Sequence, residues 1–180
     1  MNYKLTIFLF YITIFTHTLF ASSSEKIGDA LRIVIPVTAY GTTLYLDDRE
    51  GQYQFYKSFA TNAVVTYGLK YAVEKERPNG EEHSFPSGHT SVAFQGATFI
   101  HIRYGFYYSL LAYAGAVYVG YSRVDSKNHY TSDVIAGAFI GSLSSFFFTS
   151  EYKIEPLHVE NGYGIKISYT WWLTRLCLLK

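Results

Sequence analysis

Five helix-length apolar stretches, each closed off from the next by a short polar loop, leave this chain little to fold into besides a bundle of helices. They span residues 26–46, 53–76, 87–102, 105–121 and 134–150. The separators are LDDREGQ, NGEEHSFP, HIRYG and SRVDSKNHYT. Pro36 predicts a kink in the first helix, and the second should stop before Pro78. The last stretch, VIAGAFIGSLSSFFFTS, is dotted with small residues that permit close helix packing. The tail changes period: GYGIKISYTW alternates as a strand does, and Asn161-Gly162 is a hairpin turn signal.

The N-terminus has Lys4, then LTIFLFYITIFTHTLFA, then ASSS, the three-part layout of a secretory signal with Ala21 or Ser23 before the cut. The apolar run is also long enough for an uncleaved anchor. Either way the chain leaves the cytosol. The expected division is a signal or anchor at 1–23, a helical catalytic domain at 24–152 and a hairpin tail at 153–180. Lys plus Arg exceed Asp plus Glu by 15 to 14, so no global basic field argues for nucleic acid. Eighteen Tyr and fourteen Phe sit beside a mean hydropathy of +0.05, low for a chain living wholly in lipid. Cys177 is alone, which excludes an internal disulfide and a thiolate metal site. The fold class is therefore all-α: a bundle of five to six helices, membrane-embedded, with a short C-terminal β-hairpin. If the helices cross a membrane in alternation, the loops at 70–86 and 122–130 share one face, outside the cytosol. Lys and Arg occur on both sides, so they do not choose the orientation.

Within this frame Pro86-Ser87-Gly88-His89-Thr90 stands where a charged loop meets an apolar run. The first turn of a helix leaves N–H groups without partners and adds partial positive charge, which suits an anion such as phosphate. Gly88 has no side chain to block a ligand. The plain alternative is that Ser87 caps a helix and His89 is an ordinary first-turn residue.

Two other blocks carry charge. Lys70 and Arg77 are seven apart, so on one helix both leave the same face and can converge on an oxyanion; the alternative is a solvated basic helix end that includes Lys75. SRVDSKNHYTSD supplies Ser122, Arg123, His129 and Asp133. On a helix, Asp133 would accept an N–H from His129 four residues before it, leaving the other ring nitrogen free as a nucleophile.

Lys70, Arg77 and Pro78, then PSGH at 86–89, then Ser122, Arg123, His129 and Asp133 resemble, in order and spacing, the three-part signature of the type 2 phosphatidic acid phosphatase and vanadium haloperoxidase superfamily. The resemblance covers about residues 50–150, and its third block looks like that of lipid phosphate phosphatases. It implies that His129 attacks phosphorus to form a phosphohistidine with Asp133 orienting it, and that His89 protonates the leaving oxygen and then activates water. It also implies that Lys70, Arg77, Arg123, Ser87 and the Gly88 N–H hold the equatorial oxygens, with no metal or other cofactor. The expected activity is hydrolysis of a terminal phosphate of a lipid phosphate or lipid pyrophosphate at the non-cytosolic face of a membrane. A soluble exported acid phosphatase for small esters is the alternative, with vanadate-dependent halide oxidation and a non-catalytic scaffold behind it.

Overall fold

The computed structural model describes residues 24–151 and the backbone of 153–159 and 162–168. Residues 1–23, where a signal or anchor is expected, Asn161 of the turn signal and Cys177 lie outside the described residues. Five helices follow one another: α1 Ser24–Tyr45, α2 Arg49–Val73, α3 Gly88–Tyr104, α4 Phe106–Asp125 and α5 Thr131–Phe148. Beyond them Lys153–Val159 and Gly162–Ser168 run antiparallel, Lys153 opposite Ser168. The fold class rests on the helices.

The helix ends follow from local chemistry. Asp48 opens α2 by accepting from the Gly51 N–H at 2.9 Å, with Glu50 in the favourable first turn. The other end of α2 comes earlier than the proline rule predicts, because Glu74 takes a left-handed conformation (φ 45°). Arg77 is therefore in the loop, not on the helix that carries Lys70. Conversely, α4 runs four residues further than expected, so Ser122 and Arg123 are helical. The helix continues through Pro36, which is buried in α1 against Gly96 of α3.

Helix α3 is the centre, packed most extensively on α5 and then on α4, α1 and α2. Two glycines of α5 allow the approach. A Cβ at Gly141 would collide with the Ser91 carbonyl oxygen and lie 2.9 Å from the Gln95 nitrogen, and one at Gly137 would collide with the Ser87 carbonyl oxygen. The buried apolar side chains form two small clusters, one around Ile35, Ala93, Ala97, Ala116 and Val119, the other around Ala39, Phe55, Phe99 and Ile100.

Much of the interior is polar. Gln95 Nε2 donates to Ser58 Oγ (2.8 Å), Ser145 Oγ donates to the Gln95 carbonyl (2.7 Å), and Thr66 Oγ1 meets Ser91 Oγ at 3.1 Å. At the end of the bundle carrying the α1–α2 and α3–α4 turns, buried Arg103 grips Asp48 with two bonds of 2.6 and 2.8 Å. Large apolar side chains are on the outside instead: Tyr107 and Leu111 are 86 and 88% exposed, and Val64, Ile135 and Phe139 are also exposed. Among the described residues one helix, Thr131–Phe148, is long and apolar enough to cross a membrane.

Candidate active site

The two loops that the sequence sets on one face do meet, at the end of the bundle opposite Arg103, around a cavity of about 710 Å³. Lys70 enters it from the last turn of α2, Arg77 from the following loop, Gly88 and His89 from the first turn of α3, Arg123 from the end of α4, and Asn128 and His129 from the loop before α5. Six of the eight expected site residues thus line one space. The other two, Ser87 and Asp133, stand behind it and are fully buried.

Ser87 acts as the helix cap. Its Oγ accepts from the Thr90 N–H at 3.5 Å and meets Thr90 Oγ1 at 2.9 Å, so its hydroxyl is not among the groups facing the cavity. Its backbone N–H donates to the Asp133 carbonyl (2.9 Å), which ties the second block to the third. A Cβ on Gly88 would meet nothing closer than Lys70 Cε at 3.7 Å. Gly88 therefore matters through the open space it leaves beside Lys70 rather than through packing.

His129 lies in the bend before α5, so the helical spacing invoked for it and Asp133 does not apply. Its Nδ1 is buried without a hydrogen-bond partner and stands 3.9 Å from Asp133 Oδ2, too far for the hydrogen bond expected. Asp133 is held by others: Lys75 Nζ donates to Oδ1 (2.6 Å), and Ser84 Oγ (2.5 Å) and the Tyr130 N–H (3.0 Å) donate to Oδ2. Because Nδ1 is turned to Asp133, Nε2 faces the opposite way. Burial, and then the charges of Lys70 and Arg77, push the His129 imidazole down from 6.5 to about 4, against the pull of Asp133. Such an imidazole is neutral at neutral pH, the state that the expected attack on phosphorus requires.

The cations are prearranged. Lys70 Nζ donates to the His83 carbonyl at 2.8 Å, and Arg77 Nη1 pairs with Glu81 at 2.6 Å inside a turn closed by the Arg77 N–H to Glu81 carbonyl bond. Arg123, 3% exposed, reaches Asp29 Oδ1 with Nη1 (3.0 Å) and the Glu25 carbonyl with Nη2 (2.9 Å). His89 Nε2 donates to the same Asp29 oxygen at 3.0 Å. Asp29 thus spans Arg123 and His89, two of the residues expected to serve a phosphate.

Glu25, Asp29, Arg32 and Lys75 are the members that reasoning from the three blocks missed. The first three were legible, since charges four and seven residues apart on one face of an apolar helix do not lie there by accident of amphipathicity. Lys75 was set down as a solvated helix end, and only the loop's path brings it to Asp133. The wall holds four cationic side chains, Arg32, Lys70, Arg77 and Arg123, against two carboxylates, Glu25 and Asp29, an excess that suits an anion. Among the described residues no group of three His, Cys, Asp or Glu side chains converges.

The chain is 42% identical over 78 residues to a lipid A 1-phosphatase of Porphyromonas gingivalis, covering 41% of this chain and 18% of that protein. It is 37% identical over 122 residues to lipid phosphate phosphatase 1 of Arabidopsis thaliana (58% and 35%) and 35% identical over 107 residues to the bacitracin transport permease protein BcrC of Bacillus licheniformis (57% and 47%). The chain spans less than half the length of these curated relatives. Among solved structures, LpxE of Aquifex aeolicus shares the fold, with a TM-score of 0.53 at 23% identity over 68% of this chain and 89% of that one. The family model of the PAP2 superfamily matches residues 47–154, a range that takes in Lys70, Arg77, His89, Arg123, His129 and Asp133 and leaves out α1. By that match over more than half its length, the chain belongs to the PAP2 superfamily.

Proposed function

We propose that this protein is a phosphatase that removes the terminal phosphate of a lipid phosphate or lipid pyrophosphate through a phosphohistidine intermediate. The carrying observation is that His129 and His89 line one cavity with Lys70, Arg77 and Arg123. His129 Nε2 attacks phosphorus. The bond to the leaving oxygen breaks, its electron pair stays on that oxygen, and His89, whose protonated form the charge of the bound phosphate favours, supplies the proton. Water then attacks the phosphohistidine and gives its proton to His89, the N–P bond breaks with its electrons returning to Nε2, and orthophosphate leaves. Lys70, Arg77, Arg123 and the Gly88 N–H hold the equatorial oxygens throughout, donors fixed before the reaction begins.

A membrane setting is supported by the inverted distribution of side chains. Polar Gln54, Gln95, Asn62 and Thr66 are inside while Leu111, Val64, Ile135 and Phe139 face out, an arrangement that water penalises and hydrocarbon does not. It also explains the low mean hydropathy: the interior lowers the average without touching lipid. The non-cytosolic face is supported by α1, whose Glu25 and Asp29 start at the catalytic end, so a chain exported through its leader emerges on the side of the site. The soluble reading draws on a single helix passing the length and hydropathy test among the described residues.

Phosphate release by the purified protein from a panel of lipid and soluble phosphates tests the activity. Turnover should persist in EDTA, stop with vanadate, which mimics the trigonal bipyramidal state, and vanish in His129→Ala. Full activity of that variant would falsify the assignment. Carbonate washing of membranes separates the settings, and complete release counts against insertion.

A further inference from the structure

Of the two carboxylates in the cavity wall, Glu25 and Asp29, the second holds a histidine, and it comes from α1, outside the stretch that matches the family. Several bonds fix its place. The first turn of α1 is fastened to the third block: Ser24 Oγ donates to Asp125 Oδ2 (2.6 Å), Asn128 Nδ2 donates to Glu25 Oε1 (2.7 Å), and Arg123 Nη2 donates to the Glu25 carbonyl. Gly28 permits that approach, since a Cβ there would collide with Ser122 Oγ and stand 3.1 Å from Arg123 Nη2. One turn beyond Glu25, the Asp29 carboxylate reaches His89 of α3 and Arg123 of α4. An exposed ion pair of this length would carry little weight by itself. Here one oxygen serves two groups of the site, and Arg123 is buried. A carboxylate only accepts, so the hydrogen of its bond to His89 sits on Nε2, and Nδ1 is the nitrogen left for proton exchange. The charges of Arg32 and Arg123 also act on that ring, and Asp29 is the carboxylate set against them.

We infer that Asp29 is the positioning residue of His89: it fixes the ring with Nε2–H turned to α1 and Nδ1 toward the leaving oxygen, and it stabilises the imidazolium that donates there. The inference rests on the phosphatase reading above and adds to it a second carboxylate and imidazole pair beside Asp133 and His129. When His129 Nε2 attacks phosphorus, the P–O bond breaks, its electron pair stays on the leaving oxygen, and that oxygen takes the Nδ1 proton of His89. The ring is then neutral, its remaining hydrogen still on Nε2 and held by Asp29. Water attacking the phosphohistidine returns a proton to Nδ1, and the N–P bond breaks with its electrons going to His129 Nε2. His89 is then an imidazolium again. As phosphate oxygens draw Arg123 Nη1 to themselves, the charge of Asp29 is left to the imidazole, at the stage when the ring must carry its proton.

The test compares dodecyl phosphate with its analogue carrying sulfur in the bridging position, in detergent micelles, using the full chain and Asp29→Asn. A thiolate leaves without a proton, whereas an alkoxide needs one. Since kcat/KM covers the steps through departure of that group, Asp29→Asn should lower it about thirtyfold for the oxygen ester and less than about threefold for the sulfur ester. Because Asp29 acts through the ring, it should change kcat/KM for the oxygen ester by less than about twofold in a His89→Gln background. An equal loss on both esters, or a second full loss in the His89→Gln background, assigns Asp29 to phosphate binding through Arg123 and overturns the inference. Unchanged kcat/KM of Asp29→Asn on the oxygen ester overturns it as well, and both results leave the phosphatase reading intact. If the wild type hydrolyses neither ester, the phosphatase reading falls and this inference with it.

Discussion

Asp133 Oδ1 receives Lys75 Nζ at 2.6 Å while His129 Nδ1 stands 3.9 Å from the other oxygen. The carboxylate is anchored by Lys75, and in the proposed mechanism the imidazole would close on it as a cation forms on the ring. Asp133→Asn keeps the shape but cannot stabilise that cation, so kcat should drop by about 10³ to 10⁴ with KM little changed, as judged from burst and steady-state kinetics. Lys75→Met, outside the cavity wall, should lower kcat about tenfold and leave KM alone. An equal rise of KM in either variant would speak for a binding role instead.

The acid limb of kcat/KM reports the free protein, and burial together with Lys70 and Arg77 sets His129 at about 4 there. Activity should therefore hold well below pH 6. Lys70→Met should move the limb upward, since one of the charges opposing protonation is gone. Stability follows the same shift. The unfolded chain, with its histidine at 6.5, binds the proton first, so between about 6.5 and 4 stability falls as pH falls, and above 6.5 this group contributes no slope. Thermal unfolding of wild type and His129→Gln across that window checks the sign.

Asp29 holds both Arg123 Nη1 and His89 Nε2 at 3.0 Å, so an incoming phosphate must displace a carboxylate from its own donors. Asp29→Asn removes that competition. Inhibition by orthophosphate should tighten about three- to tenfold in the variant. Unchanged or weaker inhibition constants would show that Asp29 is not in the way.

Gly141→Ala forces a methyl group into the Ser91 carbonyl and should cost about 1–3 kcal/mol or more, or prevent folding. Gly41→Ala, with nothing within 4 Å, is the companion and should be neutral to mildly stabilising. Thermal denaturation in detergent separates them, and equal effects would contradict the close α3–α5 packing.

Helix count and the common face of the 70–86 and 122–130 loops were legible because apolar length and loop polarity are local properties, and alternation of direction follows from short connections. The residue types of the site were legible for the same reason, since PSGH and the His129–Asp133 block need no knowledge of their neighbours. The geometry was not. Arg77 reaches the cavity from a loop rather than a helix face because a left-handed Glu74 ends α2 early, and Ser87 turns its hydroxyl inward because Thr90 claims it. Lys75 finds Asp133 across 58 positions, and Asp29 finds His89 across 60, contacts that no local pattern encodes. Sequence by itself determined the family and the residue types of the three blocks, whereas tertiary packing decided which charges face the cavity, which stand behind it, and that α1 adds two carboxylates and a guanidinium to its wall. The reason is that helical periodicity acts over a few residues, while burial and ion pairing depend on which helices the small-residue contacts of α3 and α5 bring together.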